Sequence, residues 1–201
     1  ISDDSPNQDI KIAIQPYISE LNINYYHNNP ALKSPINWNN ALSKANGEFI
    51  MLLHQDDWFD SRQSISMFLD TFNSQQDVNF VFCKNTAIQP TGEKITLQAI
   101  QSLLSTMSAR PKHLLRANVI GPPSNVMIRK AALIKYDEEY IWLVDVDYYV
   151  RLLEAGNKYV YLDRVYKFNC VYNAKFKRWC PVSLAKEDDQ IVSMSFIKTL
   201  T

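Results

Sequence analysis

The sequence has little glycine: its 201 residues include only four, at Gly47, Gly92, Gly121 and Gly156, and no two are close together. A dinucleotide-binding fingerprint and a P-loop both need clustered glycines, because the backbone must come close to a pyrophosphate. These two ways of binding a nucleotide are therefore excluded.

An excess of charge of one sign is lacking too. The 21 Lys and Arg residues balance the 21 Asp and Glu residues, so there is no basic footprint of the kind that attracts nucleic acid. The longest clean apolar run covers only residues 49–53, whereas a spanning helix needs about 20 apolar residues. We expect a soluble, cytoplasmic protein with no nucleic-acid partner.

Cysteine is scarce. Cys83, Cys170 and Cys180 lie far apart without Cys-x-x-Cys spacing, and an odd number fits a reducing compartment better than a disulfide framework. We interpret all three as packing residues.

The first half of the chain alternates between strand-like and helix-like segments. Residues 48–53, apolar after Glu48, form a run typical of a parallel strand buried on both faces, and residues 78–83 are predicted to be another buried strand. Residues 34–45 and the segment after Ser61 have apolar residues at helical spacing. The chain opens on what reads as the end of a strand whose beginning is missing. The order predicts a single α/β domain over residues 1–201, with a mostly parallel sheet flanked by helices and a smaller mixed region after residue 93.

Two pairs of carboxylates follow predicted strands: Asp3-Asp4 and Asp56-Asp57. The carboxyl ends of parallel strands meet at one edge of a sheet, where ligands bind, so we expect both pairs at the same rim. Adjacent acids repel each other unless a cation or a sugar hydroxyl neutralises one of them. The alternative is that Asp57 or Asp60 caps the helix that follows.

A third acidic segment contains Asp145 and Asp147. Asp145 can cap the helix predicted over residues 146–155, and Asp147 can pair with Arg151 one turn later. Asp145 also follows an apolar segment, where a low dielectric would suit a general base.

Histidine and tryptophan offer further candidates. We expect His54 to be packed or hydrogen-bonded rather than a metal ligand, because alternation with Leu53 points it away from the acids. Trp58, Trp142 and Trp179 have aromatic faces that suit the apolar side of a sugar ring. We favour Trp142, just before Asp145, with a role in the core as the alternative.

In this order the residues resemble the family 2 glycosyltransferases, which are inverting enzymes of the GT-A fold. The resemblance spans almost the whole chain and lies in Ser2-Asp3-Asp4-Ser5 and in residues 39–50, 55–57, 122–129 and 145–152. It implies that Asp4 contacts the base of a nucleotide sugar, that Asp57 binds Mn²⁺ or Mg²⁺, that Asp56 contacts the ribose or the metal, and that Asp145 is the catalytic base.

The sequence departs from the family pattern in four places. We expect the family's opening strand and its nucleotide-contacting loop to be missing from this sequence, and Trp38 stands in the nucleotide-sugar site where many members have Arg. Val144 replaces an acid before Asp145, and residues 169–171 lack the usual histidine. Positive charge can come instead from Lys175, Lys177 and Arg178, or those residues form a solvated loop.

The resemblance implies an inverting transfer of a sugar from a nucleotide-diphosphate sugar, a UDP-sugar, to a hydroxyl of a glycan or lipid-linked acceptor. Residues 1–93 would bind the donor, while residues 94–201 would supply the acceptor side, with Asp145 as base and Trp142 and Asp147 as acceptor contacts. The expected setting is surface-glycan synthesis at the inner face of the plasma membrane, in peripheral association with it. A catalytically degenerate module that binds a nucleotide or glycan is the alternative, and nucleotidyl transfer is a third hypothesis.

Overall fold

The structure is a computed structural model that describes residues 1–59, 61–89, 91–97, 99–170 and 194–200. The helices in this part of the chain are α1 (Asp9–Ile14), α2 (Ile36–Ser43), α3 (Ser64–Ser74), α4 (Gln101–Met107) and α5 (Val144–Glu154). The strands are β1 (Ser2–Asp3), β2 (Tyr26–His27), β3 (Phe49–His54), β4 (Asp57–Phe59), β5 (Phe80–Ile88), β6 (Lys94–Leu97), β7 (Val126–Arg129), β8 (Tyr159–Cys170) and β9 (Met194–Leu200). Short 3₁₀ turns cover Gln15–Tyr17, Pro111–Leu115, Pro123–Asn125 and Lys130–Ala132.

All the strands belong to one sheet, in the order β2-β1-β9-β3-β7-β5-β8-β4, with β6 beside β5. Strands β1, β2, β3, β5 and β8 run in one direction, as an α/β fold predicts, and the described strands between and beside them run the opposite way. The sheet is therefore mixed rather than mostly parallel. In particular, β3 was expected to have parallel neighbours and instead lies antiparallel to both β7 and β9.

The core lies on both faces of the sheet. Successive side chains of a strand point to opposite faces, so Ile50 and Leu52 of β3 join the cluster under α5, while Phe49 and Met51 join the cluster under α3. Both faces are fully covered at the centre of β5, which explains why residues 80–83 are a continuous apolar run. No helix in the described ranges is long and apolar enough to cross a membrane.

The register of β9 fixes which strand ends meet. Ser195 pairs with Ser2 of β1 on one side and with His54 of β3 on the other. The carboxyl ends of β1 and β3 therefore lie at the same edge of the sheet, two strand spacings or about 10 Å apart. The expectation that the two acidic pairs share one rim is confirmed.

A tight loop over residues 118–125 reaches this rim before β7 begins. Gly121 has φ of +91°, a conformation that side chains with a Cβ rarely adopt. A Cβ added at Gly121 would lie only 2.5 Å from Nδ2 of Asn125, which is buried. The loop therefore needs glycine both for its backbone angle and for the space that Asn125 occupies.

Gly121→Ala should lower the free energy of unfolding by more than Gly92→Ala does. Both substitutions incur the cost of a positive φ, about 1–2 kcal/mol, but Gly92 (φ +85°) has nothing within 4 Å of the added Cβ. Gly121→Ala must in addition displace the Asn125 side chain. Urea unfolding of both variants measures the difference, and equal losses would show that the loop yields to the extra methyl group.

Candidate active site

Three potential metal ligands converge where β3 ends and β4 begins. His54, Asp56 and Asp57 each offer one ligand atom, and these atoms all lie within 4.8 Å of one another. All three residues are partly buried. The turn at residues 55–56 brings both carboxylates back towards the imidazole.

The Ser124 side chain links this cluster to the loop over residues 118–125. Its hydroxyl donates a short hydrogen bond to Oδ2 of Asp57 and accepts one from the backbone N–H of His54 at 3.1 Å. Ser124 itself is buried. An outer hydrogen bond of this kind is what orients a carboxylate that binds a metal.

The donor set fits a divalent cation. Carboxylate oxygens are the ligands that Mg²⁺ and Mn²⁺ prefer, whereas an imidazole nitrogen is a ligand of transition metals rather than of Mg²⁺. Two carboxylates with one imidazole therefore suit Mn²⁺ better than Mg²⁺. The prediction that His54 points away from the acids is wrong, because alternation along β3 says nothing about how the next turn folds back.

Hydrogen bonds within the protein hold the other acidic pair, Asp3 and Asp4. Oδ1 of Asp4 accepts from Nδ2 of Asn28 at 2.8 Å and from the backbone N–H of Leu32 at 3.1 Å, and Oδ2 accepts from the N–H of Lys33 at 2.7 Å. Asp4 is only 7% exposed. The carboxylate thus holds the segment 28–33 against the rim.

Asp3 is fully buried and accepts from the Ser5 N–H at 2.8 Å and the Tyr25 hydroxyl at 2.6 Å. Burial, followed by this hydrogen bond to Asp3, raises the pKa of Tyr25. Amide and hydroxyl donors of the chain thus reach both carboxylates at β1, and neutralisation of one of them by a cation or a sugar hydroxyl stays a prediction.

Trp38 of α2 lies beside the cluster. Its ring stacks on the His54 imidazole, with ring centroids 4.9 Å apart, and forms a T-shaped pair with the Tyr136 ring, with centroids 5.1 Å apart. Tyr136 in turn stacks on Tyr148 of α5 at 4.2 Å. A continuous aromatic column thus connects the candidate metal ligands to the helix that carries Asp145.

Asp145 lies in the first turn of α5. The helix begins at Val144 with Leu143 in the capping position, so the predicted capping role of Asp145 is wrong. Oδ2 of Asp145 accepts a hydrogen bond from Nδ2 of Asn118 at 2.9 Å. Burial raises the pKa of Asp145, while nearby backbone N–H groups and the Asn118 amide oppose the rise.

Two further candidates flank Asp145. Oδ2 of Asp147 accepts from Nε and Nη2 of Arg151 at 2.8 and 2.7 Å, which confirms the predicted pair. Trp142 is 78% exposed, so the alternative of a core role for Trp142 is wrong. Its neighbour Ile141 is 93% exposed, and the two form an apolar tip before α5.

Sequence reasoning missed Asn118 as a site residue and did not assign a role to Ser124. Asn118 stands three residues before Gly121, a spacing typical of a side chain that closes a turn. Its bond to Asp145, however, spans 27 residues. The β4–β8 register places the backbone of Asn169 opposite Asp57, whereas Asp60, Lys175, Lys177, Arg178, Trp179 and Cys180 lie outside the described residues.

A comparison with protein-family models matches residues 1–137 to the family described as glycosyl transferase family 2. The match covers more than two thirds of the chain and includes Asp4, Trp38, Asp56 and Asp57, but ends before Asp145. No curated protein matches the chain. The matched segment carries the convergent ligands at the sheet rim, and the chain therefore belongs to glycosyltransferase family 2, with the α/β, GT-A-type fold of that family.

Proposed function

We propose that the protein transfers a sugar, with inversion, from a UDP-sugar to a hydroxyl of a glycan or lipid-linked acceptor. The observation that supports this most is the convergence of His54, Asp56 and Asp57 at the rim of the sheet. The loop that carries Asn118 and Ser124 connects this rim to Asp145. Such an arrangement would combine a diphosphate site at the sheet rim with a proton acceptor in the first turn of α5.

On the donor side, His54, Asp56 and Asp57 would hold Mn²⁺ or Mg²⁺, and Asp56 would also contact the ribose. The cation, when bound, offsets the charge of the departing nucleoside diphosphate. Trp38, stacked on His54, would form a flat wall for the nucleotide sugar.

Asp4 would contact the nucleobase. An ionised carboxylate has about four lone-pair sites, and Asn28, Leu32 and Lys33 donate to three of them. One site on Oδ2 remains for the N–H of a uracil. The other bonds fix the direction in which that site points.

On the acceptor side, Asp145 would take the proton of the acceptor hydroxyl. The hydroxyl oxygen would attack the anomeric carbon as the bond from that carbon to the diphosphate breaks. Burial brings the pKa of Asp145 closer to the operating pH, which favours a general base. The exposed Trp142 would stack on the acceptor sugar. The ion pair with Arg151 uses Oδ2 of Asp147, and we assign its Oδ1 to an acceptor hydroxyl.

We place the reaction in surface-glycan synthesis at the inner face of the plasma membrane, where a lipid-linked acceptor would be held. The exposed Ile141 and Trp142 next to Asp145 support peripheral contact there. A binding-only module is the second candidate, because Val144 is packed into the core and so leaves Asp145 without the second carboxylate of many relatives.

Asp145→Asn should lower kcat by at least about 100-fold, the usual contribution of a general base, and leave UDP binding unchanged. Asp70→Asn, on the exposed side of α3, is the matched control. Steady-state transfer assays and calorimetry with UDP and Mn²⁺ measure the two effects. Full turnover in Asp145→Asn would refute Asp145 as the base, and metal-dependent UDP binding without transfer by the unsubstituted chain would favour the binding-only module.

Asp145→Asn should also make the fold more stable at neutral pH. The pKa of Asp145 is raised in the folded state, so ionisation of this group lowers the free energy of unfolding. The neutral amide of the variant does not ionise and avoids this loss. The gain should be full above the folded pKa and should vanish below the unfolded value of about 3.9. Urea unfolding at several pH values tests this, and a variant less stable than the parent at pH 7 would contradict it.

Mn²⁺ should raise the melting temperature, and Asp57→Asn should abolish most of the increase. An ion at 100 times its Kd stabilises the folded state by about 2.7 kcal/mol, and Asp57 is the carboxylate that Ser124 holds in place. Thermal unfolding with and without Mn²⁺ measures the effect, with Asp70→Asn as the control. An undiminished shift in Asp57→Asn would place the ion elsewhere.

A further inference from the structure

We infer that Asn118 is a positioning residue for the reaction: it fixes the carboxylate of Asp145 and links it, through the loop over residues 118–125, to the candidate metal ligands at the sheet rim. This inference rests on the proposed function, because it assumes that Asp145 is the base. It adds a residue that neither the family match nor the sequence motifs assign.

The amide of Asn118 has a fixed orientation. Its Oδ1 accepts from the backbone N–H groups of Ile120 at 3.2 Å and Gly121 at 3.0 Å. Its Nδ2 donates to the Gly121 carbonyl at 3.2 Å and to Oδ2 of Asp145 at 2.9 Å. Since Oδ1 faces two donors, the NH₂ group must face Asp145. A carboxylate can accept this bond from an amide, so the contact favours the ionised form that removes a proton.

The far end of the loop is anchored at the metal side. Asn125 donates to the carbonyl oxygens of Ile120 at 3.3 Å and Cys83 at 3.4 Å, and it is buried. Ser124, next to it, donates to Asp57. The bond from Asn118 therefore joins Asp145 to a loop whose other end holds a candidate metal ligand.

The other charged or titratable groups around Asp145 do not replace this bond. Tyr136 and Tyr149 face it, and burial keeps the pKa of both well above the ordinary value, so they are neutral. On α5, Asp147 is paired with Arg151. The turn Pro111–Leu115, which packs on α5, carries His113 and also Lys112, whose charge pairs with Glu154 in the last turn.

Asn118→Asp tests the inference, because the new carboxylate can still accept from Ile120 and Gly121 but places a negative oxygen against Asp145. Like charges at hydrogen-bond distance raise a carboxyl pKa. The acid limb of the kcat/KM profile should move to higher pH by about one unit or more, and kcat near neutral pH should fall. Donor KM and the Mn²⁺-dependent melting shift should not change.

Two further variants complete the test. Asn118→Ala removes the donor without adding charge, together with the Oδ1 acceptor of the Ile120 and Gly121 N–H groups, and should move the acid limb in the same direction by less. Asn157→Asp is the matched control, because Asn157 donates to the Leu152 carbonyl at 2.9 Å at the opposite end of α5, and it should leave the limb in place.

Each outcome decides between the two hypotheses. An acid limb that stays at the parent pH in both Asn118 variants, even with lower kcat, would reduce Asn118 to a structural role and overturn the inference. If Asp145→Asn abolishes transfer in the same assays, the proposed function survives that result. Full turnover in Asp145→Asn would instead refute the base itself, whatever the Asn118 variants do.

Discussion

The contact on which the site depends most is the pair of hydrogen bonds made by the Ser124 hydroxyl. It donates to the carboxylate of Asp57 and accepts from the backbone of His54, so one small side chain joins the end of β3, the start of β4 and the loop before β7. A carboxylate at a partly buried rim needs such a donor to keep a single orientation. The Ser124 hydroxyl therefore links two of the three potential metal ligands, His54 and Asp57.

The mixed topology of the sheet makes this contact possible. Because β7 runs antiparallel to β3, its first residues lie at the edge where β3 ends, and the loop that precedes it is delivered to the site. A parallel strand in the same place would bring its last residues there instead. The other antiparallel neighbour, β9, separates β1 from β3, so the two acidic pairs lie at one rim, two strand spacings apart.

Much of this could be predicted from the sequence, but only where the signal is local. The apolar run of β3, the acids that follow it and the Asp147–Arg151 pair all depend on neighbours within one element. Strand direction could not be predicted, since a run buried on both faces reads the same in parallel and antiparallel sheets. The convergence of His54 with the acids depends on a turn, and the Asn118–Asp145 bond spans 27 residues, so neither leaves a periodic signal.

The aspartates of this site differ in the hydrogen-bond donors around their carboxylates and in their burial. Asp4 accepts three hydrogen bonds and is left with one site of fixed direction. Asp57 accepts from the Ser124 hydroxyl and lies beside two other potential metal ligands. Asp145 is partly buried with one side-chain donor, and burial outweighs that donor in raising its proton affinity. The Asn118 amide and nearby backbone N–H groups thus oppose the effect of desolvation on the pKa of Asp145, and a change in the Asn118 bond would alter the pH at which Asp145 can take a proton.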